Sequence, residues 1–178
     1  SRSTGDNQKW YLEPVDEANF YFRYMFANAN ENSYITLGSG YKMYRETLND
    51  WHYAIDITGK TSFIRGTPIF SPTSGTVIYS QHNPESGNYV VIETDKCVKG
   101  TGKKVILTFA HMIEKSPLEV GQRVLPKKFI GYVGSTGNSS GDHLHHAVFK
   151  SPPGSNTIYE SQINCINPQR FYPHVPFA

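Results

Sequence analysis

Apolar and polar residues alternate in short runs from Trp51 onward, and Gly, Pro and Asn separate one run from the next. The segment His52-Tyr-Ala-Ile-Asp-Ile57 alternates strictly, runs at 67–70 and 75–79 flank a Pro-Thr-Ser-Gly turn, and 88–93 follows a loop at 83–87. Further runs occupy 104–109, 129–133 and 145–149. Period-two runs rich in Val, Ile, Tyr and Phe predict strands, here including one over 52–57. Many short strands with no long helical segment between them predict a mainly β fold, an antiparallel sheet assembly with few short helices. Upstream, residues 1–9 are polar and small and read as a loose lead-in. The stretch 15–26 fits a short helix capped by Asp16, and equally an aromatic-rich strand or a clasp on the main body.

A length of 178 residues suits one domain, expected over 35–178 with 1–34 as the lead-in or clasp. Twelve Tyr, ten Phe and 15 Gly strengthen the β reading. A net charge of +2 and a pI near 8.4, with no dense basic run, argue against nucleic acid as partner. No stretch approaches the ~20 apolar residues of a membrane span. The opening SRSTGDNQKW lacks the apolar centre of a signal peptide, so the numbering is expected to begin inside a longer precursor. Cys97 and Cys165 are too few and too far apart for a disulfide framework and read as buried or idle thiols.

Chemistry enters with two pairs. On one strand, His52, Ala54 and Asp56 share a face, and the small Ala54 leaves room for an ion between the other two. His143 and His145 likewise share a face, with Leu144 turned to the core. Imidazole and carboxylate are zinc ligands, and a catalytic zinc takes three protein ligands and keeps a position open for water. The two pairs supply one ligand too many, so spacing alone leaves open which three bind, a His52–His143–His145 set included. His111, in Thr-Phe-Ala-His-Met, ends an apolar run, where a histidine is more often bonded to backbone than catalytic.

In order and context, WHYAIDI, FAHM and GDHLHHAV resemble the H-x-x-x-D, Y-x-H-L and H-L-H segments of the LytM/lysostaphin-type zinc metallo-endopeptidases. RGTPIFSPTSGTVI and FIGYVGSTGNSSGDHLH are similar to that family's intervening Gly-rich stretches, and Asn167-Pro-Gln-Arg-Phe-Tyr to its terminal Asn/Asp-Pro segment. Carried over residue by residue, the resemblance makes His52, Asp56 and His145 the ligands of one zinc ion and leaves His111 and His143 as catalytic histidines. It implies hydrolysis of peptide bonds in peptidoglycan stems or cross-bridges by metal-activated water. His143 is then the expected general base and His111 its stabilising or proton-donating partner. The chain would act as a monomer outside the cytoplasm, facing the wall, with no membrane insertion of its own. The peptide would lie in a groove flanked by loops at 28–39, 81–88, 95–103 and 113–117.

Three departures from the pattern stand out. His146 and Ala147 replace an aromatic and an acidic residue, and alternation turns His146 away from the metal, where it is expected partly exposed or hydrogen-bonded. Asp142 stands where Pro is common. The tyrosine that steadies the oxyanion in some members has Tyr44, and after it Tyr41, as its candidate. A rival reading is a non-catalytic adaptor of a cell-envelope complex, against which all five polar positions are intact.

Overall fold

A computed structural model describes residues 14–15, 25–26, 36–46, 48–59, 65–98, 100–154 and 164–172. Its strands are β1 (Pro14–Val15), β2 (Thr36–Ser39), β3 (Met43–Arg45), β4 (Asp50–His52), β5 (Ile55–Thr58), β6 (Pro68–Phe70) and β7 (Gly75–Asn83). They continue with β8 (Gly87–Val98), β9 (Lys104–Met112), β10 (Arg123–Val124), β11 (Phe129–Tyr132), β12 (Leu144–Ser151) and β13 (Cys165–Ile166). A nine-stranded sheet runs β10-β7-β8-β9-β12-β5-β2, with β1 beside β8 and β13 beside β12; β3–β4 and β6–β11 form two small sheets. Only the β1–β8 pairing is parallel among the described residues. The sole helical element among them is a 3-10 turn at Pro168–Phe171, capped by the Asn167 side chain, so the mainly β expectation holds.

Strand β9 is buried on both faces along nearly its whole length, and β8 is so over 89–92, which is why VILTFA and YVVI read as near-continuous apolar runs. Alternation sends Val105, Leu107 and Phe109, with Leu144 and Val148, into one core, and Ile106 and Ala110, with Ala147 and Phe149, into a second cluster on the other face. Each fully buried side chain of the Leu107 or Phe109 kind contributes about 1.5–3 kcal/mol.

The structure corrects the strand expected over 52–57. β4 ends at His52 and β5 begins at Ile55, so His52 and Asp56 do not share one strand face. His52 pairs with Met43 in the small hairpin, whereas Asp56 pairs with His145 in the main sheet, and the chain changes sheets between them at Tyr53 and the fully buried Ala54. The expected loops are shorter than read, because β2 occupies 36–39, β7 and β8 extend to Asn83 and from Gly87, and β8 runs on to Val98. Most of 15–26 and of 28–39 lies outside the described residues; within the former, Val15 belongs to β1, and Met25 and Phe26 are buried in the first core.

His146 lies on the first-core face, as alternation requires, but is fully buried rather than partly exposed. Its Nδ1–H donates to the Thr108 carbonyl at 2.9 Å, its Nε2 accepts from the Tyr172 hydroxyl at 2.8 Å, and its ring stacks on Phe109. The neutral ring makes both bonds, and burial pushes its pKa down from 6.5 to about 4. Well above pH 6.5 neither folded nor unfolded His146 binds a proton. As pH falls towards 4 the unfolded chain protonates and the folded chain does not, so stability is lost, by up to about 3 kcal/mol. Chelated wild type should therefore show a steeper fall in denaturation midpoint between pH 7 and 4 than His146→Gln. Parallel slopes would remove His146 from the acid response.

Candidate metal centre

His145, the second residue of β12, lies directly opposite Asp56 in the β12–β5 ladder, and His52 closes on the pair from the end of β4. The Nδ1 of His52 is 3.1 Å from the Gly40 carbonyl, which only accepts; the ring's proton is therefore on Nδ1 and a lone pair on Nε2 faces inward. That Nε2 is 3.2 Å from Asp56 Oδ1 and 3.3 Å from His145 Nδ1, and His145 Nδ1 is 3.0 Å from the same carboxylate oxygen. A tetrahedral ion with bonds of ~2.0–2.1 Å holds its ligand atoms about 3.3 Å apart, so this triangle has the edges of a zinc site and its N,N,O donor set suits zinc. No other group of three or more His, Cys, Asp or Glu donors of this kind occurs among the described residues. Burial alone would raise the Asp56 pKa, but hydrogen bonds and charge from His145 and His52 outweigh it and hold the carboxyl well below the usual carboxylate range.

His143 sits just outside the triangle, with Nε2 3.6 Å from Asp56 Oδ1. An isolated bridge to Gly134 leads it into β12, and its Nδ1–H donates to the Gly141 carbonyl at 2.8 Å. His111 arrives from β9 at a bulge, where Ala110 and His111 together oppose Tyr89 between the pairs Asn88↔Met112 and Val90↔Phe109. Its φ of 62° breaks the alternation of the strand and turns the ring to the site, 4.7 Å from the His143 ring and 5.7 Å from that of His145. The His111 Nδ1–H donates to the Thr136 carbonyl at 2.8 Å. Burial drives its pKa down to about 4 against that bond, which favours the charged ring. Both histidines are thus fixed in one tautomer by backbone carbonyls, with Nε2 left as the acceptor.

All five predicted polar residues come together, whereas Tyr44 does not join them. It pairs with Trp51 in the β3–β4 ladder, on the opposite side of that hairpin from Met43 and His52, and its hydroxyl donates to Asn49 Oδ1 at 2.5 Å. The Tyr41 hydroxyl donates to the Cys165 carbonyl. Asp142 forms an ion pair with Arg65 at 2.9 Å, tying down the loop before His143.

A groove of about 410 Å³ reaches His111 and His145. Asn83, Glu85 and Ser86 line it, as expected for the loop at 81–88, but no described residue of 95–103 or 113–117 does. Arg45 and Leu48 of the β3–β4 hairpin and Asn138 line it instead, and sequence reasoning missed all three. The available signal was the Arg45 and Asp50 pair, which closes the hairpin through two hydrogen bonds of 2.8 and 2.6 Å.

Comparison with known proteins brings in relatives. A family model described as peptidase family M23 matches residues 50–159. Peptidoglycan DD-endopeptidase ShyA of Vibrio cholerae is 33% identical over 83 residues, 47% of this chain and 17% of ShyA. This chain therefore spans only a small part of that relative's length. A zinc-containing peptidase from Vibrio cholerae superposes with a TM-score of 0.56 at 26% identity, covering 73% of this chain and 37% of that one. The catalytic domain of lysostaphin from Staphylococcus simulans shares the fold, with a TM-score of 0.60 at 24% identity over 77% of this chain and 91% of its own.

Proposed function

This chain belongs to peptidase family M23, and from that premise we propose that it is a zinc-dependent endopeptidase of the cell envelope that hydrolyses peptide bonds in peptidoglycan. The observation that carries the reading is the triangle of His52, Asp56 and His145 donor atoms, with edges of 3.0–3.3 Å, beside the tautomer-fixed His143 and His111, the latter lining a groove. The naming of ShyA as a peptidoglycan DD-endopeptidase supports the substrate class.

His52, Asp56 and His145 would hold the ion, and the Asp56 carboxylate would offset part of its charge. Bound zinc supplies Lewis acidity and a water whose pKa falls towards ~7. His143 is the general base: its Nδ1–H is committed to Gly141, and its Nε2, 3.6 Å from Asp56 Oδ1, borders the ligand set. His111, neutral in the resting site, becomes a donor to the oxyanion or leaving amine only after a proton reaches its Nε2. The 4.7 Å between the centres of its ring and that of His143 supports it as the partner for that transfer. Tyr44 has no part in this proposal, since its hydroxyl is engaged with Asn49.

Mass spectrometry of muropeptides released from purified peptidoglycan tests the reading. New free amino termini on stem or bridge peptides, with glycan intact, are expected; cleaved glycan or no cleavage would oppose it.

A further inference from the structure

Three segments meet behind His111: the hairpin between β7 and β8, the bulge of β9, and the loop at 134–143. Thr136 lies where they meet. Its carbonyl takes the His111 Nδ1–H at 2.8 Å, while its hydroxyl donates to the Met112 carbonyl at 2.6 Å and accepts the Asn88 backbone N–H at 3.0 Å. The Asn88 side-chain amide donates to the Met112 and Ile113 carbonyls at 3.1 and 3.2 Å. The His111 backbone N–H donates to the Ser86 carbonyl at 2.9 Å.

The packing behind these bonds leaves little room for movement. Gly87 and Gly137 adopt φ of 61° and 76°, and a Cβ on Gly87 would lie 2.3 Å from the Thr136 carbonyl oxygen. One on Gly137 would lie 2.2 Å from the Gly87 nitrogen. Hairpin and loop therefore touch backbone to backbone, an approach that only glycine permits.

A bulge leaves its extra residue outside the ladder, and a residue other than glycine keeps a left-handed φ only where its surroundings over-determine it. At His111 those surroundings are its own bonds to the Ser86 and Thr136 carbonyls and, next to it, the Thr136 and Asn88 side-chain bonds that hold the Met112 and Ile113 carbonyls. We propose that Thr136 and Asn88 are positioning residues, which lock the bulge so that His111 keeps its Nδ1–H on the Thr136 carbonyl and turns Nε2 to the groove. Neither is in the ligand set or in the groove lining; their effect passes through His111. The catalytic meaning of this lock rests on the function proposed above, but the lock itself does not.

The experiment compares Thr136→Val, which keeps the shape and loses the hydroxyl, with Thr136→Ser, which keeps the hydroxyl, and with Asn88→Ala. On purified peptidoglycan, zinc-loaded Thr136→Val should bind one zinc, keep its KM and lose kcat about 10–100-fold, the scale of a displaced catalytic group. Thr136→Ser should recover most of that loss, and Asn88→Ala should move in the same direction as Thr136→Val. In chelated, nitrogen-labelled protein the His111 imidazole Nδ1–H should be slow to exchange in wild type and Thr136→Ser, and fast in Thr136→Val and Asn88→Ala. An unchanged kcat and an unchanged imidazole proton, with only a lower unfolding midpoint, would reduce both residues to packing and overturn the proposal. If wild type itself leaves peptidoglycan uncut, the function proposed above fails, and the imidazole comparison still decides the lock.

Discussion

Asp56→Ala should lose zinc and peptidase activity together while remaining folded at pH 7. Asp56 is the anionic donor of the set, and its Oδ1 is the atom on which His52, His145 and His143 all converge, at 3.2, 3.0 and 3.6 Å. Its removal leaves two imidazole nitrogens 3.3 Å apart with no anion to offset a dication. The fall in affinity should exceed the roughly 10–100-fold that follows loss of an outer-shell partner. Asp56→Asn separates charge from shape, because the amide fills the same space and offers a neutral oxygen. Metal content and thermal unfolding of both variants check the result. A zinc-free Asp56→Asn that unfolds like chelated wild type is expected; full zinc affinity in Asp56→Ala would favour a His52, His143 and His145 ligand set.

His143→Ala and His111→Ala should give the opposite dissociation, with zinc retained and turnover reduced about 10²–10⁴-fold, the usual worth of a positioned acid or base. The His143 Nε2 lies outside the donor triangle, and its Nδ1–H is spent on Gly141. His111 sits further off and is held by Thr136. With two bases in reach of one another, loss of either should be costly and loss of both little worse than the larger single loss. Zinc content measured beside kcat checks this. Loss of zinc from either single variant would make that residue a ligand and end the division of labour.

Much of this site was readable in the sequence because its parts are local. His143 and His145 share a short run whose alternation survives in β12, and the Gly-rich stretch before them became the loop that holds His111 and His143. His52 and Asp56 were legible as a pair but not as geometry. The alternation of HYAIDI is the same for one strand as for two, and only pairing of His52 with Met43 and of Asp56 with His145 reveals the change of sheet. The orientation of His111 was not legible, since it depends on a bulge set by bonds to Thr136 and Asn88, 25 and 23 positions away, as the numbering shows. The placement of Tyr44, the expected oxyanion support, was not legible for a related reason: hairpin register sets it opposite Trp51, one position out of step with the Met43–His52 pair. The burial of His146 depends on Tyr172, at the far end of the described chain.

The most direct test of the whole account is the release of new amino groups from purified peptidoglycan by zinc-loaded wild type, the same protein after chelation, and Asp56→Ala. Release by the first sample alone, restored to the second when zinc is returned, is the predicted result. Release that survives chelation, or none from wild type carrying one zinc per chain, would contradict it.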